Sequence, residues 1–340
     1  MLSATSGFAL AAGNGNPHEY LVMTHDAGRT WVVRGSVPYT FTGEGPIGAF
    51  QPMLAFAGKD VGYAQPEVGS PIYMTTDGGS SWSQLTGTGR APSFVITGGR
   101  LWVAGSSCKS YSDATGWEAC PAMLTSYRIG SRLAVSSARL RHVPWTPFVG
   151  GNDGISSPSP GTIALDYTPP RAGFATAVEL TTDGGQTWRP MRWPCGSTEF
   201  TSLVGSSNGS WVLSCFLGGG MMQGVNEVWR SYDRGATWQR LGYANEERSG
   251  NVADVGYLLT ASADGYVIYT AYGGAADGFL ASSDGGMTWH GPDVHNNDAY
   301  VSVVPAGQEG AVVFTSGRAF WTASGSSWVV RTLPVAEATR

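Results

Sequence analysis

Five short segments of this chain bring together side chains that can do chemistry: a carboxylate, hydroxyl groups and an indole ring. Each follows the pattern Ser/Thr-x-Asp-x-Gly-x-Ser/Thr-Trp, as in TTDGGQTW at residues 181–188, and the other four begin at Thr24, Thr75, Ser231 and Ser282. A carboxylate beside hydroxyl groups could belong to a catalytic loop, and the same residues could form a tight turn. The number of copies separates these two interpretations.

The motif recurs at a nearly constant interval. Its aspartates are separated by 51, 106, 50 and 51 residues, and 106 is close to two intervals. A catalytic residue is needed once, whereas a turn that defines a fold is needed in every repeat. Aspartate and glycine suit a hairpin turn, because the carboxylate accepts bonds from backbone N–H groups and glycine adopts positive φ. We therefore predict a structural role for Asp26, Asp77, Asp183, Asp233 and Asp284 and for Trp31, Trp82, Trp188, Trp238 and Trp289.

Two further copies of the repeat have lost the motif. Leu124–Leu133 lies midway between the second and third motifs, with Tyr127 and Arg128 near the position of the missing aspartate. Thr322–Trp328 is a shortened copy near the end of the chain. Seven units of roughly 50 residues are typical of a β-propeller.

The composition favours an all-β fold. The 340 residues include 49 glycines and 13 tryptophans, and only 13% are charged. Short runs rich in β-branched and aromatic residues alternate with turn residues, and no segment has a convincing helical period. We predict a single seven-bladed β-propeller of four-stranded antiparallel blades at residues 1–334, followed by a loose tail at 335–340. The first and last blades are each expected to supply four strands of their own.

The motif and its copies resemble the Asp-box, or BNR repeat, of sialidases, xyloglucanases, sortilin-type receptors and photosystem II assembly-factor-like propellers. The resemblance covers essentially the whole chain, and the seven-bladed assembly-factor type is the most similar. It implies that the motif lies on the turn between the third and fourth strands of each blade, away from the substrate face. It does not identify a function, because enzymes, receptors and assembly factors share this repeat.

The four cysteines form two local pairs, and none has the spacing of a zinc site. We predict disulfides between Cys108 and Cys120 and between Cys195 and Cys215; the alternative is four buried free thiols. Disulfides imply an oxidising compartment.

The chain is expected to be a monomeric, extracytoplasmic bacterial protein. No signal peptide is visible, since MLSATSGFALAAG already resembles two strands of the first blade, and we expect that an export signal or anchor was removed. No segment reaches 18 apolar residues, so we predict no membrane span. A net charge of −5 without a basic aromatic stripe argues against nucleic acid as a partner.

A ligand site is expected on one face of the propeller. The loops between the second and third strands of a blade, and those between successive blades, share the face opposite the motif turns; we call it the loop face. Its candidates for binding a sugar or peptide are Tyr39, Tyr111, Trp117, Arg171, Arg192 and Trp193. The candidate carboxylates for a glycosidase are Glu44, Glu67, Glu199, Glu227 and Asp293.

Enzyme activity is left open by these residues, although the sequence leans against it. Sialidases of this type use three arginines, a Tyr–Glu pair and an aspartate, but the Arg-Ile-Pro segment is absent and YRIG at residues 127–130 is the nearest match. The xyloglucanase type requires two carboxylates across a cleft between two propellers, and one propeller is predicted here. A lectin, with its aromatic rings stacked on sugars, is a third possibility.

Metal and cofactor sites are not predicted. His290 and His295 are the histidines close enough in sequence to share a metal, and a polar loop is the favoured interpretation. The glycine-rich segment 218–224 lacks the lysine of a phosphate loop. The leading hypothesis is a non-catalytic propeller that binds a protein or glycan through the loop face, with a glycoside hydrolase as the alternative.

Overall fold

The structure is a computed structural model, and it describes the parts of the chain that form the sheets. Described are residues 6–12, 18–26, 28–40, 53–65, 70–107, 120–145, 154–167, 177–195, 199–205, 209–220, 223–243, 257–261, 267–272, 278–284, 289, 300–306, 310–315, 318–322, 324 and 327–332. The described residues form no helix, and so they include no helix that could span a membrane. The all-β prediction is confirmed.

The described strands form seven sheets in which every pairing is antiparallel and every strand follows its neighbour in chain order. Sheet 1 has β1 (Gly7–Ala12), β2 (His18–Thr24) and β3 (Val32–Thr40); sheet 2 has β4 (Met53–Phe56), β5 (Gly62–Gln65), β6 (Tyr73–Thr75) and β7 (Ser83–Gln84); sheet 3 has β8 (Arg90–Thr97), β9 (Arg100–Ser106), β10 (Cys120–Arg128) and β11 (Ala134–Trp145). Sheet 4 has β12 (Gly154–Ser156), β13 (Ile163–Tyr167), β14 (Ala177–Thr181) and β15 (Arg189–Pro190); sheet 5 has β16 (Glu199–Gly205), β17 (Trp211–Gly220), β18 (Gln223–Ser231) and β19 (Gln239–Tyr243). Sheet 6 has β20 (Tyr257–Ala261), β21 (Ile268–Tyr272) and β22 (Gly278–Ser282), and sheet 7 has β23 (Tyr300–Ala306), β24 (Gly310–Thr315), β25 (Arg318–Thr322) and β26 (Val329–Thr332).

The sheets correspond to the predicted repeats. Sheets 2, 3, 4, 5 and 7 have four described strands, whereas sheets 1 and 6 have three. One strand, β1, lies in the described part of residues 1–13, for which two strands were predicted. The predicted tail at 335–340 lies outside the described residues.

Four pairs of successive sheets contact each other through their first strands. These contacts join β1 to β4, β8 to β12, β16 to β20, and β20 to β23. The sheets therefore follow one another in space as they do in the chain, which is the order expected for radial repetition.

The core lies between successive sheets, and β9 shows why. Leu101 and Val103 are buried against sheet 2, while Trp102 and Ala104 are buried against sheet 4. Side chains alternate between the two faces of a strand, so a strand between two sheets carries a continuous apolar run. Between sheets 1 and 2 the rings of Phe8 and Phe56 stack with centroids 3.7 Å apart.

A disulfide joins sheets 4 and 5. Cys195, in the segment after β15, is bonded to Cys215 in β17, with Cα atoms 5.3 Å apart, which confirms this predicted pair. Cys108 lies outside the described residues, so its pairing with Cys120 stays a prediction. Among the cysteines that the structure describes, none is a free thiol.

Candidate functional site

The four motif turns that the structure describes in full or nearly so are each closed by their own aspartate. In sheet 2, Asp77 accepts hydrogen bonds from the hydroxyl of Thr75 (2.8 Å) and from the N–H (2.9 Å) and hydroxyl (2.6 Å) of Ser81. The N–H of Gly79 donates to the Thr75 hydroxyl at 2.8 Å. The same set of bonds surrounds Asp26, Asp183 and Asp233, and the hydroxyl of Ser282 donates to Asp284 at 2.7 Å.

These hydrogen bonds lower the pKa of four motif aspartates, Asp26, Asp77, Asp183 and Asp233. The pKa of Asp77 falls to about 2, first because the Ser81 hydroxyl donates to the carboxylate and then because the Ser81 N–H does so. The equivalent hydroxyl lowers the pKa of the others, through Thr30 for Asp26 (about 2), Thr237 for Asp233 (about 2) and Thr187 for Asp183. A carboxylate held ionised by its own turn is a poor proton donor near neutral pH, so these residues act here as turn closures.

Three of the motif tryptophans donate an indole hydrogen bond, and they do so in two ways. The indole N–H of Trp31 donates to the carbonyl of Gly28 in its own turn at 3.1 Å, and Trp188 makes the equivalent bond. Trp238 instead donates to the carbonyl of Arg192 at 3.0 Å. Arg192 follows β15, so Trp238 ties sheet 5 to sheet 4.

The repeat that lacks the motif is held by tyrosines. Tyr127 is fully buried, and its hydroxyl donates to the carbonyl of Thr86 at 2.7 Å. The N–H of Gly130 donates to the hydroxyl of Tyr63, in β5 of sheet 2, at 3.0 Å. Burial raises the pKa of Tyr127 to about 12, so it stays a neutral donor. Tertiary contacts thus take the place of the missing aspartate.

Most of the predicted loop-face residues lie outside the described residues. Glu199 and Tyr39 lie at the ends of β16 and β3, and their side chains are not described. Outside the described residues are Glu44, Glu67, Asp293, Tyr111, Trp117, Arg171, His290 and His295. The structure describes the side chains of three candidates, Glu227, Arg192 and Trp193.

These three candidates lie at the junction of sheets 4 and 5. Trp193 is half-buried and packs, with Trp229 and Trp238, against the apolar cluster around the Cys195–Cys215 disulfide. Arg192 has an exposed side chain, and its carbonyl accepts the Trp238 bond described above. The sequence predicted no link between Glu227 and the adjacent pair Arg192 and Trp193, because they belong to different repeats.

Glu227 is engaged through both of its carboxylate oxygens. Oε2 accepts a hydrogen bond from Trp229 Nε1 at 2.9 Å, and Oε1 lies 2.5 Å from Arg240 Nε. Trp229 neighbours it on the same face of β18, and Arg240 comes from the adjacent strand β19. The carboxylate is 12% exposed, so this ion pair fixes the side chain between two strands.

A second carboxylate network was not found from the sequence. The hydroxyl of Tyr167 donates to Glu179 Oε1 at 3.0 Å, and Glu179 Oε2 lies 2.9 Å from His142 Nε2. His142 is on β11, so the network joins sheets 3 and 4. Neither the spacing nor a motif marks these residues, since β-strands from two repeats bring them together.

The Tyr167–Glu179 pair matches a sialidase nucleophile pair in residue type only. Tyr167 lies in the apolar cluster between sheets 3 and 4 and is 7% exposed. Its pKa is raised, first by burial and then by the negative charge of Glu179. A nucleophile needs access to substrate and a lowered barrier to losing its proton, so this environment suits a structural hydroxyl. Among the described residues no three His, Cys, Asp or Glu side chains are grouped to hold a metal.

Comparison with known proteins identifies structures with a similar fold. No protein-family model matches the chain, and no curated protein matches it. A structure of YCF48 bound to D1 peptide is 16% identical, with 92% of this chain and 94% of that chain covered and a TM-score of 0.53. Puromycin hydrolase complexed with PGG is 12% identical, with 97% and 52% covered and a TM-score of 0.62. An ancestral GH74 enzyme is 12% identical, with 98% and 47% covered and a TM-score of 0.56.

These similarities are structural. At such identities they show the fold alone, and the chain spans about half the length of the two hydrolases. The described sheets and the matched structures together support one conclusion. The chain has an all-β fold of the β-propeller type, built from antiparallel sheets.

Proposed function

We propose that this chain is a non-catalytic, extracytoplasmic, seven-bladed propeller of the Asp-box type, and that it binds a protein partner through the loop face. The seven described sheets and their contacts through first strands support a ring of seven blades. The Cys195–Cys215 disulfide supports an oxidising compartment.

The observation that carries the proposal is the engagement of the described carboxylates. The motif aspartates accept hydrogen bonds from their own turns, and both glutamates with described side chains, Glu179 and Glu227, bond through both oxygens. A glycosidase needs two carboxyl groups that face the sugar, one to donate a proton and one to attack or activate water. The geometry favours structural roles for these carboxylates and hence a binding function.

The comparison with YCF48 supports a peptide as the ligand. That protein is described as bound to D1 peptide, and the similarity spans nearly all of both chains. An exposed arginine next to a half-buried tryptophan, as in Arg192 and Trp193, suits a peptide, because arginine pairs with carboxylates and tryptophan supplies rigid contact area.

The test compares binding with turnover. The purified chain is incubated with fluorogenic glycosides, sialosides and xyloglucan oligosaccharides included, and is applied to a glycan array and to an array of acidic, basic and neutral peptides. We expect no turnover and selective peptide binding. Arg192→Glu should weaken that binding, whereas Arg189→Glu, an exposed reversal on β15, should leave it unchanged.

Two results would contradict the proposal. Turnover of a glycoside that disappears in Glu227→Gln, with the thermal midpoint retained, would make the protein a hydrolase. Saturable binding to glycans without peptide binding would make it a lectin.

A further inference from the structure

Sheet 3 ends in a long strand with one free side. The strand β11 has 12 residues, and among the described strands it pairs only with β10. Residues 132–139, which are the last two residues of the preceding turn and the first six of β11, are all exposed, whereas Leu140 and Val143 are buried against sheet 4. We call the exposed stretch 132–139 the β11 edge. Its outward N–H and C=O groups are a template on which another strand can add.

The other outer strands have shorter or covered free edges. The outer strands β7 and β15 have two residues each, β26 has four and β19 has five. The nine-residue β3 is approached by the next sheet, since a Cβ at Gly35 would lie against the carbonyl of Gly79. Short strands and covered edges are how proteins block unwanted pairing, so the long β11 edge stands out.

The charge of sheet 3 is one-sided. Its four strands and the 129–133 turn contain no aspartate or glutamate, although the whole chain has a net charge of −5. The same segments contain Arg90, Arg100, Arg128, Arg132, Arg139 and Arg141. Arg132 and Arg139 stand at the two ends of the β11 edge, and both are exposed. The edge therefore presents positive charge on an otherwise acidic protein.

Apolar side chains lie between these arginines. Leu133 is 80% exposed and Val135 is 44% exposed. A purely protective edge would carry charge or proline at such positions. The β11 edge therefore carries two apolar side chains between two arginines. The arginines can pair with carboxylates of an extended segment, and the apolar side chains can pack against one of its apolar residues.

We propose that the β11 edge binds an extended acidic segment of a partner protein by strand addition. The partner's backbone pairs with the outward groups of β11, its carboxylates pair with Arg132 and Arg139, and an apolar side chain covers Leu133 and Val135. A second copy of this chain is disfavoured as the occupant, because it would place arginines against arginines. This surface is separate from the loop face, so the inference stands whether or not Arg192 and Trp193 bind a ligand.

The probe is a fluorescein-labelled peptide of Glu-Val-Glu-Thr repeats, used in fluorescence anisotropy with the whole chain. Its controls are a proline-interrupted peptide of equal charge, a Lys-Val-Lys-Thr peptide and an oligo(dT) strand. We expect binding of the first peptide alone, because proline removes ladder donors and the other two lack either the charge or the strand backbone.

Paired variants locate the site. Arg132→Glu with Arg139→Glu should weaken binding by roughly tenfold or more, because like charges then face each other. Arg29→Glu with Arg189→Glu changes the net charge equally at exposed positions outside sheet 3 and should change binding by less than about twofold. Amide exchange in residues 132–139 should slow when the peptide binds.

Several outcomes would overturn the inference. These are equal binding of the proline-interrupted peptide or of oligo(dT), an equal loss in the two double variants, and no protection of residues 132–139. Self-association of the chain that blocks the peptide would assign the edge to a second copy instead.

Discussion

The turn at residues 75–82 in sheet 2 and the turn at residues 127–133 in sheet 3 occupy the same place in successive repeats, but different groups hold them. In sheet 2 the carboxylate of Asp77 collects hydrogen bonds from its own turn. In sheet 3 the neighbouring sheet supplies Tyr63, and Tyr127 reaches across to the carbonyl of Thr86. Both turns pack on the preceding sheet, one through Gly79 and one through Gly130.

This difference shows what the repeat requires. The fixed element is a glycine turn docked on the preceding sheet, and the aspartate is one of two ways to close it. Where tyrosines close the turn, the following strand, β11, runs for 12 residues and is exposed over 134–139. In sheet 2, where Asp77 closes the turn, the following strand, β7, has two residues, although the nine-residue β3 follows the Asp26 turn of sheet 1. The site proposed on β11 is thus on the sheet whose repeat departs from the motif.

The largest expected effect is a difference in stability loss between substitutions of Gly79 and of Gly130. Gly79 has φ of +91°, and a Cβ there would overlap the side chain of Leu21 in sheet 1. Gly79→Ala combines backbone strain with overpacking and should destabilise the protein by about 3 kcal/mol. Gly130 has φ of +77°, but its Cβ would lie 3.6 Å from Val61, so Gly130→Ala should cost about 1 kcal/mol. Chemical denaturation of both variants measures the difference, and equal losses would contradict unequal docking.

The next effect is a pH dependence of stability that has opposite signs for the two turns. The pKa of Asp77 is lowered to about 2 by folding, so its contribution to stability is present above about pH 4 and is lost as pH falls toward 2. The pKa of Tyr127 is raised to about 12, so its contribution is present below about pH 10 and is lost as pH rises toward 12.

Thermal midpoints measured across this pH range test the contrast. Asp77→Asn should make the acid limb less steep and leave the alkaline limb, and Tyr127→Phe should make the alkaline limb less steep and leave the acid limb. A variant that altered both limbs equally would show that the two turns are not independently closed.

A smaller effect is expected from the bond between sheets 2 and 3. Tyr63→Phe removes the acceptor of the Gly130 N–H and should destabilise the protein by about 1 kcal/mol. Tyr73→Phe on the neighbouring strand β6, where the ring is only partly buried, is the matched control and should have little effect. Similar losses in both variants would mean that the Tyr63 hydroxyl has no special role in docking the turn.

The smallest effect is expected at the exposed end of the sheet 3 turn. Leu133 is 80% exposed, so Leu133→Ser should change the free energy of unfolding by less than about 0.5 kcal/mol. The same variant should weaken binding of the Glu-Val-Glu-Thr peptide. A large loss of stability would show that Leu133 serves the fold and not a partner.

The sequence was sufficient for the repeat and the strands because both depend on local patterns. The spacing of the five motif aspartates predicted the repeats, and short apolar runs such as 101–104 predicted strands. The Cys195–Cys215 pair was also predictable, since the two residues are near in sequence and lie in adjoining elements.

The side-chain networks were not predictable, because each joins residues of different strands. Glu227 was predicted as a candidate catalytic residue, but Arg240 and Trp229 engage it only once β18 and β19 are paired. His142, Tyr167 and Glu179 meet between two sheets and carry no motif. The free side of β11 depends on which strand ends a sheet, and composition alone does not contain that information.

The most direct test is residue-resolved hydrogen exchange of the free chain and of the chain with the Glu-Val-Glu-Thr peptide. In the free chain we predict slow exchange of the Gly79 and Gly130 amides and an alternating pattern over 132–139, in which amides directed at β10 exchange slowly and the others exchange fast. The peptide should slow the fast set alone. Uniformly slow exchange of 132–139 in the free chain would show that the edge is already covered and would contradict the account.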